Sequence, residues 1–254
     1  MLALDNLSFA FNGRAILNKV SFRLASGEMA ALLGVNGSGK STLLKTINGI
    51  LKPKEGAVLV EGVALHGLSG REIAKRIGYM PQKSSGTACT VFDAVLLGRK
   101  PHFDRSVTPH DLAAVERVLK RLGLEKLALR ETAELSGGEL QKVVIARALV
   151  QEPKVLLLDE PVNHLDIRNQ LETMSILREI TREMNLLTIT VLHDLTIALR
   201  YVDRFVLLKD GALHACGDRR VMTPEAIREV FGMHAVIREI DGIPVVLPLG
   251  SATC

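Results

Sequence analysis

The 254-residue sequence predicts an α/β fold with a mostly parallel sheet core, an N-terminal antiparallel β part and an inserted helical block. Three observations carry that expectation. Short, near-continuous apolar runs at 29–33, 155–158 and 186–192 have the character of strands buried on both faces. Residues 1–24 instead alternate apolar and polar positions around Asn12-Gly13, the pattern of an antiparallel hairpin. From about 84 to 152 the periodicity becomes helical.

Taken in order, the hairpin is extended by a strand at 57–60, and the core breaks off after Gln82. Thr108-Pro109 opens a helix as N-cap and first turn, with Leu112, Val115, Val118, Leu119 and Leu122 forming its apolar stripe. A helix at 140–150 follows. The core resumes at Val155, with a long helix at 167–184 and the strand at 186–192. Asp210-Gly211 marks a further hairpin, Thr223-Pro224-Glu225 another helix start, and 236–249 a closing strand pair. The expected division is one domain: a core with its β subdomain at 1–83 and 153–254, and a helical subdomain at 84–152.

The segment Gly34-Val35-Asn36-Gly37-Ser38-Gly39-Lys40-Ser41 lies between a strand and a helix-forming stretch. That context identifies a phosphate-binding loop. Its glycines let successive N–H groups converge on phosphate oxygens, and the helix dipole adds to the anion site. Asn36, Gly37, Ser38, Gly39, Lys40, Ser41 and Thr42 are therefore the expected ATP contacts. Lys40 would reach the β- and γ-phosphates, and the Ser41 hydroxyl would ligate Mg2+.

The run at 155–158 ends in Asp159-Glu160-Pro161. Carboxylates at the end of a buried strand need a partner. Asp159 would hold Mg2+, directly or through water. Glu160, not consumed by the metal, could accept a proton from the attacking water. The plainer alternative is that Glu160 caps the following turn.

A second glycine turn, Ser136-Gly137-Gly138-Glu139, offers another phosphate-binding surface that the chain's own nucleotide cannot fully use. The two surfaces together point to ATP enclosed between two copies. Ser136-x-x-Glu139 also forms a capping box for the helix that follows.

Along almost its whole length the chain resembles the ATP-binding cassette (ABC) ATPases, a P-loop (RecA-like) family. The likeness rests on the two motifs above, Gln82 in Tyr79-Met80-Pro81-Gln82, the signature at 135–139, Asn163-His164-Leu165-Asp166, and His193 in Val191-Leu192-His193-Asp194. The resemblance implies that Gln82 reaches Mg2+ and the attacking water and senses a membrane partner. It implies that His193 contacts the γ-phosphate, that Asp166 links two ATP sites across a dimer, and that Phe11 stacks on adenine. Ser136 and Gly138 would donate to the γ-phosphate held by the opposite subunit. Phe9 competes with Phe11, and either could be a core aromatic. Glu139 stands where the family usually has glutamine, and Val162 where a small hydroxylated residue is common; neither removes a residue that carries the chemistry.

Leu96-Leu97-Gly98-Arg99-Lys100-Pro101-His102-Phe103 is similar to the segment after the glutamine loop in ATPases of metal-chelate importers. By its own chemistry it is a loop with one apolar anchor. The resemblance implies the ATP-hydrolysing subunit of an importer of iron–siderophore, haem or cobalamin. Its partners would be a second copy, two transmembrane permease subunits and, indirectly, a periplasmic or extracellular substrate-binding protein. Zinc or manganese importers, and soluble ABC ATPases of cluster assembly, are the alternatives.

Composition limits the other classes. No stretch approaches the ~18–20 apolar residues of a spanning helix, and the first residues carry no secretory pattern. The expected location is the cytoplasmic face of the inner membrane, held peripherally. Net charge of +4 is too mild to signal nucleic acid. The basic clusters around Arg71–Arg76 and Arg117–Arg121 are expected to be solvated helix faces. Cys89, Cys216 and Cys254 are too few and scattered for a disulfide framework and are expected as free thiols.

Overall fold

The computed structural model describes residues 1–82, 88–103 and 106–251. The expected start of the helical block at 84 and Cys254 lie outside them. In chain order the strands are β1 (Leu2–Phe11), β2 (Arg14–Leu24), β3 (Met29–Leu33), β4 (Glu55–Val60), β5 (Val63–Ala64), β6 (Ile77–Met80), β7 (Val155–Asp159), β8 (Leu187–Val191), β9 (Arg204–Lys209), β10 (Ala212–Gly217), β11 (Met233–Ile240) and β12 (Ile243–Ser251). The helices are α1 (Lys40–Ile47), α2 (Gly70–Ala74), α3 (Val91–Leu96), α4 (Pro109–Arg121), α5 (Gly137–Leu149), α6 (Ile167–Glu183), α7 (Leu195–Tyr201) and α8 (Pro224–Phe231).

The central sheet has the order β10-β9-β3-β8-β7-β6. Its pairs from β9 to β6 are parallel, and β10 runs antiparallel at the edge. β3, β7 and β8 are buried at every residue, as their unbroken apolar runs require. The pleat divides each strand between two cores. Met29, Ala31, Leu33, Leu156 and Leu158 face the helices α3 to α8; Ala30, Leu32, Val155, Leu157, Ile189 and Val191 face α1 and the antiparallel sheet β2-β1-β4-β5. This sandwiching fixes the carboxyl ends of β3, β7 and β8 side by side, where open parallel sheets collect their ligands.

Local signals set the helix starts. Thr108 caps α4 and exchanges hydrogen bonds with Asp111, and Ser136 caps α5 in the same way with Glu139. Such caps contribute about 1 kcal/mol each.

Two sequence expectations need correction. Leu112 was placed on the apolar stripe of α4 but is 40% exposed; Ala114 packs inward in its stead. The segment after Gln82 is not a plain loop: Leu97–His102 forms a 3-10 turn that buries Arg99 to 2% exposure. The basic clusters are largely solvent-exposed, as expected, and make surface contacts. Arg71 donates to the carbonyls of Pro101 and Phe103 at 2.8 and 2.6 Å, Arg117 pairs with Glu152, and Arg121 pairs with Glu183. Cys89 and Cys216 are free thiols, as expected.

Candidate active site

The loop between β3 and α1 turns back on itself because two of its glycines tolerate what no side chain would. A Cβ on Gly34 would lie 2.3 Å from the Leu208 carbonyl oxygen of β9, and Gly39 has φ 99°, a left-handed conformation. α1 therefore starts at Lys40 with its first N–H groups turned toward an open cleft of about 730 Å3. Lys40 Nζ donates to the carbonyls of Gly34 and Val35 at 2.8 and 2.9 Å. Burial lowers the Lys40 pKa, and the charges of Glu160 and Asp159 oppose that shift. An ammonium held by two neutral carbonyls and facing two carboxylates is prepared to exchange those carbonyls for phosphate oxygens.

Across the cleft stands the end of β7. Asp159 is 1% exposed, and its Oδ1 accepts from the Ser41 hydroxyl at 3.2 Å. Burial raises its pKa, Ser41 opposes the rise, and the neighbouring Glu160 charge adds to it. Two oxygens, one from a hydroxyl and one from a carboxylate, thus meet where a hard divalent cation could be shared with phosphate.

Glu160 has the left-handed φ of 59° that lifts its side chain out of the strand line. Its Oε1 accepts from His193 Nε2 at 2.7 Å, and its Oε2 accepts from Gln82 Nε2 at 2.7 Å and from Asn163 Nδ2. Burial pulls its pKa upward, but hydrogen bonds from His193 and Gln82 outweigh this and hold it below the ordinary value. Because an ionised carboxylate only accepts, His193 Nε2 carries the hydrogen. The carboxylate makes these three side-chain contacts, one of them with Asn163 of the turn that follows it.

The cleft brings together Asn36, Gly37, Gly39, Lys40, Ser41, Thr42, Gln82, Glu160 and His193. Ser38 is buried beneath the loop. Phe11 does not line the cleft, though its ring is 64% exposed at the end of β1; Phe9 packs against the second core instead. Ile16, on β2, does line it. Asp166 caps α6, accepting from Asn169 N at 2.8 Å. The signature residues 136–139 lie outside this cleft, at the start of α5. There Ser136 and Gly137 are exposed, and a Cβ on Gly137 would meet open space.

Asn163 and His164 stand in a motif in which the resemblance gives a role only to Asp166; both line the cleft in the turn after Glu160. The signal available was an asparagine three residues past a strand-end carboxylate, at turn spacing. Sequence reasoning missed the buried pairing of Arg99 with Asp111 at 2.9 Å, which has no local signature.

Residues 17–163 match the family described as ABC transporter. An uncharacterized ABC transporter ATP-binding protein of Methanocaldococcus jannaschii is 54% identical, with 98% of each chain covered. A hemin import ATP-binding protein of Deinococcus radiodurans is 42% identical, over 94% of this chain and 92% of that one. A siderophore transport system ATP-binding protein of Bacillus subtilis is 35% identical, over 100% and 94%. Among solved structures, an inward-facing conformation of a metal-chelate type ABC transporter matches with TM-score 0.85 at 31% identity, covering 98% of this chain and 97% of that one.

Proposed function

This chain belongs to the ABC transporter family of ATP-binding proteins, and from that premise we propose that two copies close around two ATP molecules to drive a membrane permease importing an iron–siderophore, haem or cobalamin. The chain is an ATPase with the ABC cassette fold. The observation that supports the paired arrangement is the separation of two surfaces: the Lys40 loop lines the cleft, while the exposed Ser136-Gly137 turn opens elsewhere on the same molecule. A second copy supplies what each cleft lacks.

Each residue then has one task. ATP draws Lys40 Nζ away from Gly34 and Val35 toward the β- and γ-phosphates. Mg2+, held by Ser41, Asp159 and Gln82, would neutralise charge on the phosphate oxygens. Glu160 takes a proton from the attacking water, and His193 holds the γ-phosphate. Phe11 stacks on adenine through its exposed face. Ser136, Gly137, Gly138 and Glu139 close on the ATP of the opposite subunit, and Asp166 connects the two sites. Closure is driven by the higher affinity of the closed pair for ATP.

The permease is proposed to seat against the helical subdomain at 84–152. A cleft of about 540 Å3 between α2, the 97–102 turn and α5 supports this, with Leu97 exposed on its rim beside Lys100 and Arg147. No helix among the described residues is long and apolar enough to cross a membrane. We place the pair peripherally at the cytoplasmic face, with a substrate-binding protein on the far side of the permease. The import class rests on relatives named for siderophore transport and hemin import.

Affinity purification of the tagged chain from solubilised membranes tests the reading. Co-purification of a many-helix protein, and ATP-dependent uptake of one of the three chelates by vesicles holding both, is expected. Co-purification with soluble cluster-assembly factors alone would contradict it.

A further inference from the structure

Among the described residues, three donors converge on the Glu160 carboxylate, and one of them, Asn163, has been given no task so far. A general base needs a lone pair directed at water, and of the roughly four that an ionised carboxylate carries these three donors leave one, on Oε1. The three differ in their tethers. Gln82 follows β6 and His193 follows β8, both with exposed side chains on separate strands. Asn163 stands in the same turn as Glu160, and its backbone N–H bonds the Glu160 carbonyl at 3.3 Å. Gln141 Nε2 fastens that turn by donating to the Pro161 carbonyl at 2.6 Å. Wherever Glu160 moves, Asn163 moves with it.

The two carboxylate oxygens are also unequal. Among the described residues, Oε2 has two donors, one of them tethered, whereas Oε1 has His193 alone. From this we infer that Asn163 is the positioning residue of the base: it retains Oε2 through turnover, which leaves Oε1, with its one donor, a lone pair to direct at water. Oε1 is then the oxygen that takes the proton. The water oxygen's freed electron pair forms the bond to the γ-phosphorus, and the bond to the bridging oxygen breaks, its pair leaving with ADP. The left-handed backbone at Glu160 makes such a side-chain anchor necessary, because that conformation is not one the backbone itself favours. The inference rests on Glu160 as the base.

The test is steady-state ATPase kinetics of the purified full-length chain carrying Asn163→Ala, Asn163→Asp or Asn163→Ser, with melting temperature recorded for each. Loss of a hydrogen bond to a charged group is expected to lower kcat about tenfold in Asn163→Ala. KM for ATP should stay within about twofold, because ground-state binding is untouched. Asn163→Asp, of equal shape but without a donor when ionised, should fall at least as far. Asn163→Ser, with a hydroxyl donor, should recover part of the rate. If Asn163→Ala does not fold, the isosteric Asn163→Asp takes its place. A wild-type kcat in these donor-less variants, or a loss residing in KM, would overturn the assignment. Glu160→Gln run in parallel separates the two levels. If it is inactive while Asn163→Ala is unimpaired, the base stands and the positioning role falls; if it turns over normally, the base itself falls.

Discussion

Ser41 donates its hydroxyl to Asp159 Oδ1 at 3.2 Å, joining the first turn of α1 to the last residue of β7. The contact sets the phosphate side of the cleft against its carboxylate side at hydrogen-bond distance. It follows from the strand order: β8 alone separates β3 from β7, so both strand ends open on one rim. Lys40, the residue before Ser41, is consequently placed between its own loop and two carboxylates.

Lys40→Ala removes the cation that offsets the triphosphate charge. Affinity for ATP should fall at least about tenfold, with the fold intact, as one charge-assisted contact is lost. Isothermal titration calorimetry measures it; unchanged affinity would remove Lys40 from the phosphate site.

Glu160→Gln keeps the shape of the side chain and removes its basicity. ATP binding should persist, turnover should drop by a factor of about a hundred or more, and an ATP-bound dimer should accumulate. Gel filtration with ATP and a phosphate-release assay read the two effects. Hydrolysis near the wild-type rate would exclude Glu160 as the base.

The fold was largely legible because its strongest signals are local. The apolar runs of β3, β7 and β8 match their burial, and the caps at Thr108, Ser136 and Thr223 open helices where expected. The site's motifs were legible for the same reason, since a glycine loop or a strand-end carboxylate is a contiguous pattern. What escaped were relations between distant side chains. Nothing near Arg99 announces that its guanidinium is buried, binding Asp111, the Val150 carbonyl and Glu152 each at 2.9 Å. The same buried pair accounts for the one misplaced member of the α4 stripe, Leu112; Val115, Leu119 and Leu122 are buried and Val118 packs on the core, as expected. Asp111 and Ala114 face inward toward the turn at 97–102 and the core, which rotates Leu112 outward.

Arg99→Ala strips the buried partner from Asp111 and leaves the Val150 carbonyl unsatisfied. Stability should fall by about 3–5 kcal/mol, with little change in ATP affinity. Urea denaturation beside calorimetry separates the two. A loss under about 1 kcal/mol would mean that the network adds little beyond surface ion pairs.

The same network has a pH signature. Burial works against the Asp111 charge, but hydrogen bonds from Thr108 and Arg99 prevail and hold its pKa down at about 2. A carboxyl depressed by folding contributes stability above its unfolded pKa, and that contribution disappears as pH falls through the folded value. The stability advantage of wild type over Asp111→Asn should therefore be full near about pH 6 and shrink between about pH 5 and 2. Acid titrations of unfolding free energy check this; a constant difference across that window would rule it out.

The composite site makes the most demanding claim, and mixing two inactive variants tests it. Ser136→Arg should bind ATP yet neither dimerise with itself nor hydrolyse, and Lys40→Ala should fail for lack of nucleotide. In a mixed pair, the intact Lys40 loop of one chain meets the intact Ser136 turn of the other. ATPase activity should reappear on mixing and rise with concentration. If the mixture stays as inactive as its two components, while each variant remains folded, each chain completes its own site and the shared-cleft account is wrong.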